Sequence, residues 1–333
     1  MRLFQTIRRF LITAAMLALA SSAHAAELQA FPVGLGSASF ATVAARIAGE
    51  LGLFEKHGIA AKFIVMDSAS AATTALIAGS VAGAVSGPGE LVVVQARGQQ
   101  VVAVANTYAG LSGSLVLAKP VADRLGVSAT APVADRLKAL EGLTIGVPSA
   151  TGAYTVAFRS ASRDAGANVR FAYMAQPAMV AALESGAIQG YVGGAPFWAM
   201  PVVKGTGVLW ISGPKAELPA ANMPVSSSNL QIMRGYAEAH PDVARGLAAV
   251  FADLGRALDT QPASVKAIVA KLYPDLDAPT LDLLFAAESP AWKTRPPSAA
   301  DMAREIAFVK LSGVPLPQAD SIDPSALFIH AGP

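Results

Sequence analysis

Short apolar runs alternate along the chain with longer segments whose apolar residues recur at helical spacing. Over the first third of the chain, this pattern predicts strands at 28–35, 60–67, 81–87 and 101–108, and helices at 40–58, 68–79 and 90–99. Buried parallel strands are almost continuously apolar, as these runs are. The order therefore predicts an α/β module in which helices cover a mainly parallel sheet.

A second series repeats the order of the first. It predicts strands at 143–149, 169–174 and 188–194, and helices at 151–166, 176–186 and 196–205. The stretch ALIAGSVAGAV at 75–85 corresponds to ALESGAIQGYV at 182–192, which lies 107 positions later. Solenoid units recur every ~20–50 residues, so this spacing is too long for stacked repeats. The repeat instead predicts two similar α/β lobes.

The remaining residues have no counterpart in either series. Residues 212–225 are predicted to cross back to the first lobe, where a strand at 224–230 and a group of helices complete it. We therefore expect lobe one to comprise 27–112 plus 213–333, and lobe two to comprise 113–212. Two lobes joined by two crossings form a hinged clamp.

The N-terminus has the pattern of an export signal. Three arginines precede an apolar run, and AHA at 23–25 supplies small residues for cleavage, which predicts a signal peptide over 1–25. The apolar run is short for a transmembrane helix, which needs ~20 residues. A retained anchor is the alternative. Cleavage predicts an exported, periplasmic protein with no stable membrane insertion.

Charge and cysteine content narrow the class of protein. Loss of the three N-terminal arginines changes the formal charge from +2 to −1, so no basic footprint for nucleic acid remains. The absence of cysteine excludes disulfides, thiolate metal sites and thiol nucleophiles. With 53% apolar and 14% charged residues, the chain is expected to be compact.

The order of five segments resembles a known family. They are ELGLFEKHGI at 50–59, TTALIAGSVAGAVSGPGE at 73–90, LKALEGLTIGVPSATGAY at 137–154, AALESGAIQGYVGGAPF at 181–197, and 229–258. Together they resemble the solute-binding receptors of ABC importers for nitrate, sulfonates, taurine and thiamine-pyrimidine precursors. Ala82 and Gln189 stand where that family often has aspartate.

The resemblance implies a fold and a way of working. The fold is α/β, a two-lobed periplasmic-binding-protein clamp of type II, with each lobe a doubly wound mixed sheet flanked by helices. A monomeric receptor of this kind captures a small-molecule ligand by hinge closure and delivers it to an ABC permease with its ATPase. An alternative is a ligand-sensing partner of a membrane receptor.

Candidate ligand contacts follow from where ligands bind in open α/β sheets, which is beyond the carboxyl ends of the strands. The loops there are short, and their hydroxyls and helix N-termini suit an anion or a polar group. The candidates in these loops are Ser37, Ser39, Ser68, Ser86, Gly87, Ser149, Thr151, Gly152, Gly194 and Pro196. In the alternative interpretation, the serines and the threonine only cap helices.

Aromatic and acidic residues at the same strand ends extend the candidate site. Tyr108, Tyr154 and Trp198 could stack against a planar or apolar ligand, whereas neighbouring Phe197 is more typical of a core residue. Glu90 could contact a ligand amine or stabilise the start of its own helix.

The ligand is predicted to be small, organic, and monoanionic or neutral. The candidate loops contain no arginine or lysine, although Arg46 or Arg159 could point inward from a helix. Doubly charged oxyanions are favoured by bidentate arginine, so a sulfonate, an aromatic carboxylate or a pyrimidine fits better.

No catalytic pattern is present, and no cofactor is expected. His57, His240 and His330 are dispersed and suggest neither a metal cluster nor a Ser-His pair. No nucleophile elbow, P-loop or dinucleotide fingerprint occurs. We expect a binding protein with no catalytic residues, and an exported hydrolase or isomerase is the alternative.

Overall fold

The computed structural model describes residues 28–150, 152–313, 315–316 and 318–329, and the side chain of residue 320 is not described. The predicted signal peptide at 1–25 lies outside these residues. Among the helices described, none has both the length and the apolar character needed to cross a membrane.

The elements alternate as the apolar pattern predicts. The strands are β1 Gln29–Leu35, β2 Ile59–Val65, β3 Gly83–Ser86, β4 Val101–Ala109, β5 Ser114–Ala118, β6 Thr144–Val147, β7 Arg170–Tyr173, β8 Gly190–Gly193, β9 Gly207–Ile211 and β10 Ser226–Met233. The first helices are α1 Val43–Glu50, α2 Leu53–Lys56, α3 Ala69–Ile77, α4 Pro88–Gln95, α5 Lys119–Arg124, α6 Val133–Lys138 and α7 Ala153–Asp164. The later helices are α8 Gln176–Glu184, α9 Ala199–Val203, α10 Arg234–Ala239, α11 Pro241–Thr260, α12 Pro262–Leu272, α13 Ala278–Glu288 and α14 Ala299–Lys310. Short 3-10 turns lie at Ala220–Asn222, Ser289–Trp292, Ala319–Ser321 and Pro324–Leu327.

The strands form two five-stranded sheets with the orders β2-β1-β3-β10-β4 and β7-β6-β8-β5-β9. In the first sheet, β1 pairs in parallel with β2 and β3, and β10 is antiparallel to both of its neighbours. The second sheet has the same arrangement, with β6 between β7 and β8 and with β5 as the antiparallel strand. The predicted fold class, two lobes with mixed sheets flanked by helices, is confirmed.

The internal repeat has a simple topological basis. Strands β1, β2 and β3 occupy the same sheet positions as β6, β7 and β8. The antiparallel strand differs in origin, since β5 is the first strand after the chain leaves the first sheet and β10 is the first after it returns. The division into lobes at 112 and 212 remains a proposal, and it follows the strand composition of the two sheets.

Several elements differ from the predicted ones, among them α5 and α6, for which the apolar pattern predicted no helix. The helix predicted at 40–58 is divided into α1 and α2, because Gly52 adopts a left-handed conformation (φ 68°) that an α-helix cannot continue through. Strands β5 and β9 were not predicted. Both are short apolar runs beside a crossing, and periodicity alone does not assign such runs to strands.

The two sheets share part of one hydrophobic core. Residues of the second sheet and its helices, among them Met179, Tyr191 and Trp198, are buried in the same cluster as Phe31 and Val33 of β1. Helix α9 packs against α13 on this side of the molecule. The lobes are therefore joined by packed side chains as well as by the two crossings.

Candidate ligand-binding cleft

A cleft of about 620 Å³ lies between the two sheets. Its wall includes residues that follow the carboxyl ends of β1, β2 and β3 on one side, such as Gly36, Ala69 and Gly87. On the other side, Pro148, Gln176 and Gly194 follow β6, β7 and β8. The equivalent loops of the two repeats thus face each other, at the sheet edge where open α/β sheets bind ligands.

Most residues proposed from the sequence line this cleft. They are Ser37, Ser39, Ser86, Gly87, Glu90, Gly152, Tyr154 and Gly194. Their hydroxyls are partly used within the protein: Ser37 Oγ lies 2.8 Å from Ser39 Oγ, and Ser86 Oγ donates to the Ala69 carbonyl at 3.2 Å. These serines therefore line the cleft and also make local hydrogen bonds, and their contact with a ligand stays a prediction.

Three of the proposed loop residues lie outside the cleft wall, and a fourth falls on a position that is not described. Ser68 is the N-cap of α3, where its Oγ accepts a hydrogen bond from Ala71 N at 3.1 Å. Ser149 Oγ accepts from Gly152 N at 3.0 Å, so it too is used for local capping. Pro196 follows a cis peptide bond and does not contribute to the wall. Thr151 lies outside the described residues.

Tyr108 and Trp198 also lie away from the cleft, buried at the junction of the lobes. Both donate to the carboxylate of Glu288 on α13: the Tyr108 hydroxyl to Oε2, and Trp198 Nε1 to Oε1 at 2.9 Å. Glu288 is fully buried, and burial raises its pKa to about 7. The strand-end rule locates these aromatic residues along the chain, but tertiary packing turns them toward the core.

Tyr154 is the aromatic residue of the set that does line the cleft. Its hydroxyl lies 2.9 Å from Ser112 Oγ, at the first crossing between the lobes. Ser112 N in turn donates to Ser227 Oγ at 2.7 Å, near the second crossing. Burial raises the pKa of Tyr154 to about 12, so the hydroxyl stays protonated and can donate. These two hydrogen bonds link α7, through Ser112, to both crossings between the lobes.

Two glutamates contribute to the wall. Glu90 lies in the first turn of α4, and its carboxyl accepts a hydrogen bond from its own backbone N–H, as expected of an acid at a helix start. Burial raises its pKa. Glu305 lies on α14 and is 1% exposed. Burial raises the pKa of Glu305 to about 7, while hydrogen bonds from Ser226 N and Val225 N oppose that change.

No lysine or arginine belongs to the cleft wall within the described part of the chain. Arg159 donates instead to the carbonyls of Ala150 at 3.2 Å and Ser312 at 3.4 Å, and Arg46 is likewise absent from the wall. The described residues also form no group of three or more His, Asp or Glu that could hold a metal ion.

Several wall residues were not predicted. Gln176 follows β7, and its Oε1 accepts from Gly194 N at 2.7 Å, so the strand-end rule could have identified it. Ser226, Ser227 and Ser228 begin β10, which enters the cleft only because the chain crosses back. Glu305 and Phe308 belong to α14, and no local signal in the sequence places that helix beside the cleft.

The fold and cleft agree with what comparison with known proteins finds. The NMT1-like family matches residues 25–273, and this chain belongs to that family. No curated protein matches the chain at a significant level of sequence similarity.

Solved structures show the same fold at low sequence identity. The periplasmic aliphatic sulphonate binding protein SsuA from Escherichia coli superposes with a TM-score of 0.68 at 17% identity, over 90% of this chain and 98% of that one. The alkanesulfonate-binding protein SsuA from Xanthomonas axonopodis pv. citri, bound to MOPS, gives 0.64 at 17% identity, over 91% and 97%.

The periplasmic nitrate-binding protein NrtA from Synechocystis PCC 6803 gives a TM-score of 0.59 at 12% identity, over 89% of this chain and 86% of that one. All three of these proteins are named as binding proteins. At such identities the likeness establishes the fold, and the ligand must be argued from the cleft itself.

Proposed function

We propose that this protein is the extracytoplasmic receptor of an ABC importer, which captures a small organic solute and presents it to a permease with its ATPase. The observation that supports this most directly is the cleft, whose two walls come from equivalent loops of two repeated sheets. A ligand bound there contacts both lobes at once, so it favours the closed arrangement of the clamp.

The cleft wall favours a neutral or cationic ligand over a monoanionic one. Glu90 and Glu305 are the ionisable acids of the wall, and no basic side chain of the described residues accompanies them. An anion placed there would have two carboxyl groups as neighbours and no basic side chain in the described wall. The serine hydroxyls and Tyr154 suit hydrogen bonds to a polar molecule that has an apolar body and no negative charge.

Export is part of the proposal. The arginine-rich start, the apolar run and the AHA motif favour removal of residues 1–25 and release into the periplasm as a monomer. The permease would then recognise the surface formed when the two lobes close around the solute.

A binding screen by thermal shift tests this function. A ligand that binds only the folded state raises its stability by about 2.7 kcal/mol at a hundredfold excess over Kd, and the molecule should be recovered chemically unchanged. Turnover of a stabilising compound by the pure protein would contradict the proposal.

A blocked cleft provides the control. A Cβ at Gly89 would meet only Val309 Cγ2 at an ordinary 3.7 Å, so Gly89→Trp places an indole at the cleft wall without backbone strain. We expect this variant to fold and to lose the ligand-induced shift. Gly255→Trp, on a helix face with nothing within 4 Å of a Cβ, should keep the shift. Equal ligand responses in both variants would exclude this cleft as the binding site.

A further inference from the structure

The two carboxyl oxygens of Glu305 have different surroundings. Oε1 accepts hydrogen bonds from the backbone N–H groups of Val225 and of Ser226, the latter at 2.9 Å. Oε2 is buried and has no hydrogen-bond partner among the described residues. Because two backbone donors hold Oε1, the carboxyl plane is fixed and Oε2 is the oxygen left for another group.

A buried carboxylate oxygen without a partner is costly, so native proteins seldom retain one without a reason. Glu305 also belongs to the cleft wall, together with Ser226 at the start of β10. A ligand in the cleft is therefore the group whose arrival could satisfy Oε2. When this carboxyl group is ionised, the ligand atom required is a hydrogen-bond donor, since a carboxylate only accepts.

The surrounding charges favour the same kind of ligand. Neighbouring Arg304 on α14 donates to the Ala220 carbonyl at 3.2 Å, and Asp301 is held by Arg295 at 2.6 Å. Helix α4 packs against α14 and contributes one acid, Glu90, to the cleft wall. The cleft wall thus contains a second carboxyl group and, among the described residues, no basic side chain, which disfavours an oxyanion and suits an N–H group.

We propose that Glu305 determines the specificity of the cleft: its Oε2 accepts a hydrogen bond from an N–H group of the ligand, which is an amide, amidine or amino-heterocycle and not an oxyanion. This inference rests on the proposed function, because it assigns the solute class of the same cleft. The anchoring group alone distinguishes these ligand classes, so small probes that carry only that group test the inference.

Four probes with one phenyl body separate the head groups. Benzamidine and benzamide present N–H donors, whereas benzoate and benzenesulfonate present oxyanions. At pH 8, above the pKa of Glu305, thermal shift and calorimetric titration of the full mature protein should show benzamidine and benzamide binding at least tenfold more tightly than the two anions. Tighter binding of either anion would overturn the inference and leave the receptor function intact. Absence of binding by all four probes would count against both.

Glu305→Gln tests the residue itself. The glutamine Oε1 can keep both backbone hydrogen bonds, so its NH2 group takes the position of Oε2 and replaces an acceptor by a donor. We expect at least a tenfold loss of benzamidine affinity and a gain for benzoate. Glu238→Gln, at an exposed position of α10, should leave the ranking unchanged.

An unchanged ranking in a folded Glu305→Gln variant would overturn the assignment of Glu305. Circular dichroism establishes whether the variant is folded. If it does not fold, the ranking of the four probes by the wild-type protein still decides between an N–H donor and an oxyanion.

Discussion

Single buried acids connect parts of this molecule that are distant in sequence. Glu288 on α13 accepts hydrogen bonds from Tyr108 of β4 and from Trp198, which precedes α9 in the other lobe. A carboxyl group without a basic partner is costly to ionise in such a place, and burial raises its pKa from 4.5 to about 7. The junction of the lobes therefore contains a group that titrates near neutral pH.

This titration predicts a pH-dependent stability. The folded-state pKa of Glu288 is above the unfolded value, so the folded protein retains a proton that the unfolded chain loses between about pH 4.5 and about pH 7. The contribution of Glu288 to stability is fully present below that interval and is lost as the pH rises through it. Glu288→Gln imitates the protonated form and should remove this loss.

We expect Glu288→Gln and the wild type to have similar melting temperatures at pH 5, and the variant to melt higher at pH 8. Comparing the two proteins at each pH cancels the parallel titration of Glu305, whose pKa is also raised to about 7. A constant difference between pH 5 and pH 8 would contradict the assignment.

Among the elements, α14 links several parts of the site. Its N-terminus has a capping box, in which Ser298 Oγ accepts from Asp301 N at 3.2 Å and the Asp301 carboxylate accepts from Ser298 N at 3.0 Å. One turn later, Glu305 reaches the start of β10. A well-defined helix start thus positions a residue of the cleft wall.

Ser298→Ala should destabilise the protein by about 1 kcal/mol, because it leaves the Asp301 N–H without its side-chain acceptor. Chemical denaturation measures this directly. Ser298→Asp, which supplies another good N-cap, should recover most of the loss. If both variants were as stable as the wild type, the cap would not contribute to stability.

The crossings between the lobes are tightly packed. A Cβ on Gly213 would lie 2.1 Å from the Gly113 carbonyl oxygen and 2.4 Å from that of Leu111, so the second crossing passes directly against the first. Two backbones at this distance have no room for a side chain.

Gly213→Ala should therefore destabilise the protein by about 1–3 kcal/mol, since the crossings must move apart. Gly255→Ala in α11, where a Cβ meets nothing within 4 Å, should instead stabilise it by about 0.5–1 kcal/mol through helix propensity. Urea denaturation of both variants checks this, and similar effects of the two substitutions would contradict the close approach.

At the scale of the whole molecule, the two lobes have separate sheets but share a hydrophobic core. Trp198 and Tyr191 from the second lobe are buried in the cluster that contains Phe31, Val33 and Phe251. A common core couples the unfolding of the parts that share it.

We therefore expect a single calorimetric transition whose van't Hoff and calorimetric enthalpies agree.

Trp198→Ala should lower the midpoint of this transition strongly. Removing a fully buried indole typically costs about 3–5 kcal/mol of unfolding free energy. The substitution also removes the hydrogen-bond donor to Glu288 Oε1. Two separate transitions in the wild-type protein would show that the lobes unfold independently.

Local patterns in the sequence predicted much of this organisation. Apolar runs identified the repeated strands β1 to β3 and β6 to β8, and glycine-ended helices marked the repeat between them. The strand-end rule then placed Ser86, Gly152 and Gly194 in loops that do line the cleft. These features depend on residues close together in the chain, so their physical basis is visible in the sequence.

The tertiary structure alone decided which side chains face the cleft and which face the core. Tyr108 and Trp198 lie near the ends of strands, as the wall residues do. Their side chains nevertheless contact Glu288, which is at least 90 positions later in the chain. Glu305 enters the wall because β10 returns to the first sheet and offers two backbone N–H groups to its carboxyl. Side-chain direction and long-range pairing depend on packing between distant segments, and apolar periodicity contains no information about either.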